Sequence, residues 1–581
     1  MRHITISLSR FRISSTFCAL ALLLSALISR PYAEMGIADD GTYILTARGL
    51  ATTGHLSYNG WVSALLGWQL YLGAALIKLF GFSFTTVRMS GLLISMALAA
   101  VLQRTLVRAG ATERNATIGT LAFVLSPLYL MLSVTFMSDV PGLFAVVICL
   151  YGCLRALEST DDRAAAGWLC FAVITNAICG TSRQTAWLGI LVMVPSALWL
   201  LRARRRVLLA GAAATLVGAI FIFGCMLWFR YQPYTIPSTD HLLFKSFPVA
   251  VIFMAFAHFF LNFPFLLLPI VASFMTVLRK SRPGVVLTSS LFLVVYLFIA
   301  LYPNHLPVRL PLDPTFPQHF GFNAPGEFDY ALLQGQPPIL FGKTVRALLT
   351  IASQGGLIAM IASFFRSPPT SSAAQPHASI SWRQLCLLFV PFTIAYTLII
   401  LPRPATFGLY ERYALPLLLV ALVCLVRCYQ ERVQPQLPTI IHLLVVIMAI
   451  LAIAVTHNTF AFLRARVALA AELRADGVPD TSVDNGWEYN FGVELQHADH
   501  INVPMIVVPA NAYIPVPPLA AGTCPMHWYD YTPHIKPLYG VSYDPNACYG
   551  PAPFAPVHYS RWLTRTPGAL SVVRYTAPSK P

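Results

Sequence analysis

Apolar runs recur from end to end of this chain, separated by short polar segments that carry most of its charge. A helix needs about 20 apolar residues to cross the roughly 30 Å hydrocarbon core of a bilayer. Candidate spans of that kind lie at Ile13–Ile28 and at 83–103, 116–134, 140–157, 165–181, 186–201, 207–228, 247–277, 284–301, 347–365, 385–401, 413–427 and 439–456, thirteen in all. Trp61–Phe80 is a rival, since it too is about 30 Å long as a helix. After the last span the pattern changes. Phe460, Leu463, Val467, Ala470 and Leu473 recur at helical spacing within Thr459–Arg474. That helix is predicted to stop at Asp476-Gly477-Val478-Pro479, a Gly-then-Pro ending. Strand-like runs follow at Met505–Val508 and Leu570–Tyr575, among Pro- and Gly-rich loops. The pattern predicts an all-α polytopic membrane domain over residues 1–457 and a small α/β appendage over 458–581. No repeat of fixed period is visible.

Composition agrees with the pattern and excludes the soluble classes. Hydrophobic residues make up 57% of the 581 and charged residues only 11%, against about a quarter charged in soluble proteins. So few charges could not cover the surface of a cytosolic enzyme, a disordered chain or a secreted disulfide scaffold. The net charge of +16 is not a nucleic-acid signature. From Asn458 onward there are 8 Lys/Arg against 9 Asp/Glu, so the excess belongs to the membrane part. There its ordinary cause is retention of Lys and Arg on the cytoplasmic side. No nucleic-acid partner is expected.

The same charges orient the chain. With Trp61–Phe80 lying along the interface, the predicted inner loops carry 19 Lys/Arg and 5 acids, among them the run Arg202, Arg204, Arg205 and Arg206. Counting Trp61–Phe80 as a span would put that run outside. Trp61 and Trp68 also suit an interfacial helix. The first apolar stretch reads as an uncleaved helix, with a signal peptide as the alternative because Pro31-Tyr32-Ala33 weakly imitates a cleavage site. The expected protein is an integral, multi-pass component of the cytoplasmic (inner) membrane, amino terminus inside and carboxy-terminal appendage outside. Its long outer loops are 30–82, 229–246 and 302–346, the last read as a lid or acceptor-facing surface. Nine of the eleven cysteines fall within or beside spans. Cys524 and Cys548 are left in the outer tail and are expected to pair as a disulfide rather than hold zinc.

Acids are scarce, so their positions carry weight. Asp39 and Asp40 open the first outer loop in Ala38-Asp39-Asp40-Gly41-Thr42-Tyr43, and Asp139 sits in a short outer hairpin. A solvated loop or a helix cap would explain each of them equally well. Arg183-Gln184 lies in a second short outer turn, and Tyr410-Glu411-Arg412-Tyr413 at another outer helix end. Ionisable residues at a membrane edge are functional candidates, and all of these fall on one side.

At this point the residues resemble the GT-C superfamily of polyprenyl-phosphate-dependent glycosyltransferases, above all bacterial relatives of protein O-mannosyltransferases and the lipid A aminoarabinose transferase. The resemblance lies in the order Asp39-Asp40, Tyr43, Gly54, Trp61–Phe80-Gly81 and Arg88, and in Gly477-Val478-Pro479 with Asn485–Asn490 of the tail. It departs in having Asp40 where Glu is commoner, and it lacks a Pro-Pro pair before the amphipathic stretch.

The resemblance implies an inverting transferase that moves a sugar from a polyprenyl phosphate to a hydroxyl of a lipid, glycan or protein acceptor. Asp39 would be the main catalytic acid, with Asp40 and Asp139 beside it. Arg183, Arg412, Lys245 and Arg403 would hold the donor phosphate, and Tyr43, Gln184 and Tyr413 would line the substrate site. Arg88 is open to a second reading, as a side chain reaching out of the bilayer from its helix end. No firm cofactor is implied, and a divalent cation stays open because two carboxylates alone do not complete its oxygen shell. The rival class is a transporter or lipid-linked-saccharide flippase, against which stand the missing repeat and the charges at helix ends rather than at mid-bilayer.

Overall fold

The computed structural model describes residues 2–61, 65, 67–236, 249, 252, 256, 263–278, 283–301, 333–338, 340–341, 343–364, 379–403 and 409–576. Among these, seven helices are long and apolar enough to cross a membrane: Phe84–Arg108, Asp139–Glu158, Asp162–Ser182, Arg205–Arg230, Trp382–Ile400, Glu411–Arg432 and Ile440–Ala475. The chain is a multi-pass integral membrane protein. Its lipid-facing surface is plain in Arg205–Arg230, where Leu209, Leu216, Ile220 and Phe223 are exposed.

Among the described residues, seven of the thirteen expected spans are full-length helices, and others are broken or shorter there for local reasons. The 116–134 run is broken into Glu113–Val124 and Pro127–Ser133, bent by 71°. Pro127 supplies no backbone donor, and the Ser126 hydroxyl caps the second piece by accepting from the Tyr129 N–H. The 186–201 run begins in 3₁₀ and π turns before a short α-helix. Ile13–Ile28, Leu268–Val277 and Ile351–Phe364 are shorter apolar helices, and most of 247–262 lies outside the described residues. Helix starts follow capping chemistry. Ser83, Thr112 and Asp161 each accept a backbone N–H three residues on, and Ser381 with Gln384 forms a capping box. Each cap stabilises its helix by about 1 kcal/mol.

Arginines mark one end of the bundle, in the pairs Arg108–Glu158, Arg204–Asp162 and Arg427–Glu431. The opposite end carries the first loop, the 135–138 hairpin and the tail. The first loop holds a helix, Asp40–Thr53, packed on Gly67–Phe80. The latter is the helical part of the Trp61–Phe80 segment and is tied to the core where Trp68 Nε1 donates to Cys179 O at 2.9 Å and Gln69 Nε2 to Phe136 O at 2.7 Å.

The last span and the predicted tail helix are one helix, Ile440–Ala475, about 54 Å long. The polar run Thr456-His457-Asn458-Thr459, which reads as a membrane boundary, is buried inside it. Asn458 and Trp562 exchange hydrogen bonds there, and His457 Nε2 lies 2.8 Å from Ser560 Oγ. On this post sits a four-stranded sheet, β1 (Val483–Asp484), β2 (Tyr539–Ser542), β3 (Val557–Tyr559) and β4 (Gly568–Arg574), in the order β1-β2-β4-β3. β1 pairs parallel to β2, and β4 runs antiparallel to both β2 and β3, with Val541 opposite Val572. Met505–Val508, predicted as a strand, is loop. A disulfide joins Cys524 to Cys548.

Candidate functional site

The first loop reaches the membrane surface as a tight turn. Ala38 adopts a positive φ of 49°, and Asp40 opens the helix that follows. Asp40 does not join Asp39. Its carboxylate is fully buried and chelated by Arg88, Nε to Oδ2 at 2.8 Å and Nη2 to Oδ1 at 3.1 Å. It also accepts from the Ile37 N–H at 2.6 Å. Arg88, itself 2% exposed, spends its remaining donors on the carbonyls of Ala33 and Met35. The pair therefore rivets the loop to the Phe84–Arg108 helix. Asp40, expected in the site, is therefore turned toward Arg88 and is not among the residues that line the cavity, and the Arg88 guanidinium is engaged inside the protein rather than in solvent. Adjacent side chains leave the backbone in different directions, so burying one acid turns the other outward.

Asp39 makes no capping hydrogen bond. It faces Arg412, whose Nη2 is 3.1 Å from Asp39 Oδ2. Arg412 comes from a 3₁₀ turn, Glu411–Ala414, at the start of its helix. Its Nε lies 3.9 Å from Asp139 Oδ2, and neither of these two buried atoms has a hydrogen-bond partner among the described residues. The other oxygen of Asp139 accepts from Arg183 Nη1 at 2.7 Å. Arg183 can lie there because the facing helix residue is Gly142, where a Cβ would fall 2.8 Å from Arg183 Cβ and 2.9 Å from its Cδ. One aromatic ring serves three cations: the guanidinium carbons of Arg183, Arg412 and Arg403 stand 5.0, 5.7 and 5.8 Å from the centre of the Tyr413 ring. Tyr396 holds this turn by donating to Tyr413 O at 3.0 Å.

These groups line one cavity of about 340 Å³. Asp39, Asp139, Arg183, Arg403, Arg412, Tyr43, Gln184 and Tyr413 all meet there. The three arginines outnumber the two carboxylates, so the wall carries a net positive charge suited to an oxyanion. Burial raises the Asp39 carboxyl above the ordinary range, Arg412 opposes that rise, and Asp139 adds to it. Burial also pushes the Tyr43 phenol well up, which keeps it a neutral hydroxyl in the wall. Lys245 and most of loop 302–346 lie outside the described residues. Among the described residues, no three His, Cys, Asp or Glu side chains cluster to hold a metal ion.

The opposite wall comes from the tail, with Trp487, Phe491, Met505, Trp528 and Tyr531, closed by Trp61 of the first loop. Trp61 meets Phe491 and Trp487 edge to face at 4.8 and 5.5 Å between ring centres. Sequence reading gave the tail no part in the site. The i, i+4 pair Trp487 and Phe491 beside a buried Glu488 was the signal available there.

No protein-family model matches the chain, and no curated protein matches it. It is similar to solved structures of three proteins. One is ArnT from Cupriavidus metallidurans bound to undecaprenyl phosphate, with 13% identity, 97% of this chain and 99% of that chain covered, and a TM-score of 0.39. The second is the Archaeoglobus fulgidus oligosaccharyltransferase, with 13% identity, 89% and 64% covered, and a TM-score of 0.37. The third is the Saccharomyces cerevisiae protein O-mannosyltransferase Pmt1-Pmt2 complex bound to the sugar donor, with 15% identity, 38% and 33% covered, and a TM-score of 0.30.

Proposed function

We propose that this protein is a GT-C-type glycosyltransferase, moving a sugar from a polyprenyl-phosphate donor to an acceptor hydroxyl at the outer face of the inner membrane. One observation carries the reading: Asp39, 3.1 Å from Arg412, lines one cavity with Asp139 and three arginines, at the end of the bundle away from the arginine-marked side. The positive-inside assignment supports placing that end outside.

The chemistry follows from these groups. Asp39 takes the proton from the acceptor hydroxyl while its oxygen bonds to the anomeric carbon. The bond from that carbon to the phosphate oxygen breaks, and the electron pair leaves with the phosphate. Arg183, Arg403 and Arg412 stabilise the departing charge, in a site where the Tyr413 ring keeps them close together. Attack from the side opposite the phosphate inverts the anomeric centre. Asp139 holds Arg183 and Arg412 in register rather than touching the acceptor. A positioned base contributes about 10²–10⁴-fold. Purified protein in liposomes, given a radiolabelled undecaprenyl-phosphate sugar and lipid extract as acceptor, should release labelled product. Asp39→Asn should lower that release by about two orders of magnitude while still binding undecaprenyl phosphate. Full transfer by Asp39→Asn, or movement of intact labelled lipid across the bilayer without product, refutes the reading.

A further inference from the structure

The wall that the tail contributes to the cavity includes a continuous strip of aromatic rings. Trp61 meets Phe491 at 4.8 Å, Phe491 meets Tyr531 at 6.3 Å and Tyr531 meets Trp528 at 5.1 Å between ring centres. All four line the cavity. The strip begins beside the turn that bears Asp39, because a Cβ on Gly41 would fall 3.4 Å from Trp61 Cη2. Exposure rises along it, from 7% at Trp61 and 5% at Phe491 to 47% at Trp528. The rings therefore lead from the candidate acid to the surface.

The outermost ring is held there against a local preference. Trp528 has φ 60° and ψ 27°, a left-handed conformation that a bulky residue rarely adopts. Such a conformation persists only where its surroundings over-determine it, and such residues cluster at ligand clamps and active sites. The turn is pinned from both sides. Tyr529, the next residue, is buried in a core of the tail with Ile535, while Trp528 itself stands half out. Asn502, 4% exposed, donates its N–H to Tyr531 O at 3.1 Å and its Nδ2 to Asp530 O at 2.8 Å. The Tyr531 N–H closes the turn onto Trp528 O at 3.0 Å.

The surroundings select what lies on these rings. A cation would suit their faces, but Arg183, Arg403 and Arg412 line the same cavity and repel it. An alkyl chain has an apolar approach at Ile399 and Ile400 of the Trp382–Ile400 span, whereas no ring of the strip belongs to a span. A peptide laid along the groove calls for free backbone partners, and the carbonyls of Trp528, Asp530 and Tyr531 already accept hydrogen bonds. A sugar ring fits both demands. Its C–H face packs on the electron-rich face of an indole or phenol, and its hydroxyls stay in water. We propose that the acceptor is a glycan, whose rings stack along this strip with Trp528 as the outer platform while its terminal hydroxyl reaches Asp39. This rests on the glycosyltransferase reading for the reaction at that hydroxyl, and not for the stacking.

The test uses the full-length protein in nanodiscs. Linear trimers of glucose, of mannose and of N-acetylglucosamine serve as probes in saturation-transfer NMR. At least one should receive saturation at its ring C–H protons, with Kd raised about tenfold by Trp528→Ala. Trp528→Phe keeps a ring and should hold Kd within about threefold of the parent. In the transfer assay, Trp528→Ala should raise KM for the lipid-extract acceptor about tenfold and leave kcat and KM for the undecaprenyl-phosphate sugar within about twofold. In the parent's product the labelled sugar should be joined to another sugar, an arm that needs no variant to fold. Three results overturn the proposal: no trimer binds, Trp528→Ala binds them as the parent does, or the label ends on a protein or on a lipid without other sugars. If trimers bind through Trp528 but the parent transfers nothing, the transferase reading fails and the strip is a glycan-binding site alone.

Discussion

Asp39 and Asp40 are neighbours in sequence with opposite expected phenotypes, and Asp40→Asn separates stability from chemistry. The substitution leaves the guanidinium of Arg88, 2% exposed, facing an amide instead of a carboxylate that met it at 2.8 and 3.1 Å. Removing one partner of a buried pair costs about 3–5 kcal/mol, because the other charge stays desolvated. Arg88 keeps the carbonyls of Ala33 and Met35, and the introduced amide oxygen can still accept one hydrogen bond, so the lower end, about 3 kcal/mol, applies. The assay is the thermal unfolding midpoint of purified protein in one detergent, for Asp40→Asn, Arg88→Met and the double variant Asp40→Asn/Arg88→Met. The single changes should each lower the midpoint clearly. The double change removes both charges and should lie well above the sum of the two losses, with a coupling of about 1–3 kcal/mol. A coupling near zero, or an Asp40→Asn protein with native stability and abolished transfer, would show that Asp40 acts in the chemistry and is no rivet.

Asp39→Asn should behave in the reverse way, because a carboxyl whose folded pKa is raised stabilises the fold at low pH and loses that contribution as pH rises through the folded value. At neutral pH the variant should therefore unfold at or above the parent's midpoint, the gap closing in acid, and the parent's transfer should fall on acidification at a pH above the ordinary aspartate range. A clearly lower neutral midpoint contradicts this sign. Gly142→Ala puts a methyl 2.8 Å from Arg183 Cβ, so it should weaken donor use about as much as Arg183→Ala does, measured as kcat/KM at limiting donor; native kcat/KM would mean Arg183 can serve from another path. An introduced Cys at the exposed His55 should react with a membrane-impermeant maleimide added outside intact cells and one at Arg205 should not, and labelling at Arg205 would reverse the assigned sidedness.

Much of this arrangement was legible because membrane proteins advertise their charges. Asp39, Asp139, Arg183 and Arg412 stood out as ionisable residues at helix ends on one predicted side, and the structure gathers them although Asp39 and Arg412 are 373 positions apart. What could not be read is which way a side chain leaves the backbone. Asp39 and Asp40 look alike in the local pattern, and it is the buried pairing of Arg88 with Asp40 that sets their side chains apart in the fold. The last span was harder to read, since the span expected at 439–456 and the helix expected at Thr459–Arg474 run on as one helix through Thr456–Thr459. Two of its side chains are met from far along the chain, His457 Nε2 by Ser560 and Asn458 by Trp562, pairings more than 100 residues away that no local pattern announces. The tail was underestimated for a related reason. Its short strands and Pro-rich loops carry little periodicity, yet its aromatic residues close the cavity.

The unbroken Ile440–Ala475 helix acts as a ruler and a bearing at once. Because the sheet stands on it without a hinge, the height and the heading of the tail above the bilayer are both counted in helical residues. One residue inserted midway would lift the sheet by about 1.5 Å and swing it by about 100°. The second displacement is the serious one, since it would carry Trp487 and Glu488 around to another side of the post. Loop lengths elsewhere can drift with little effect, whereas the register of this helix is a dimension of the site itself.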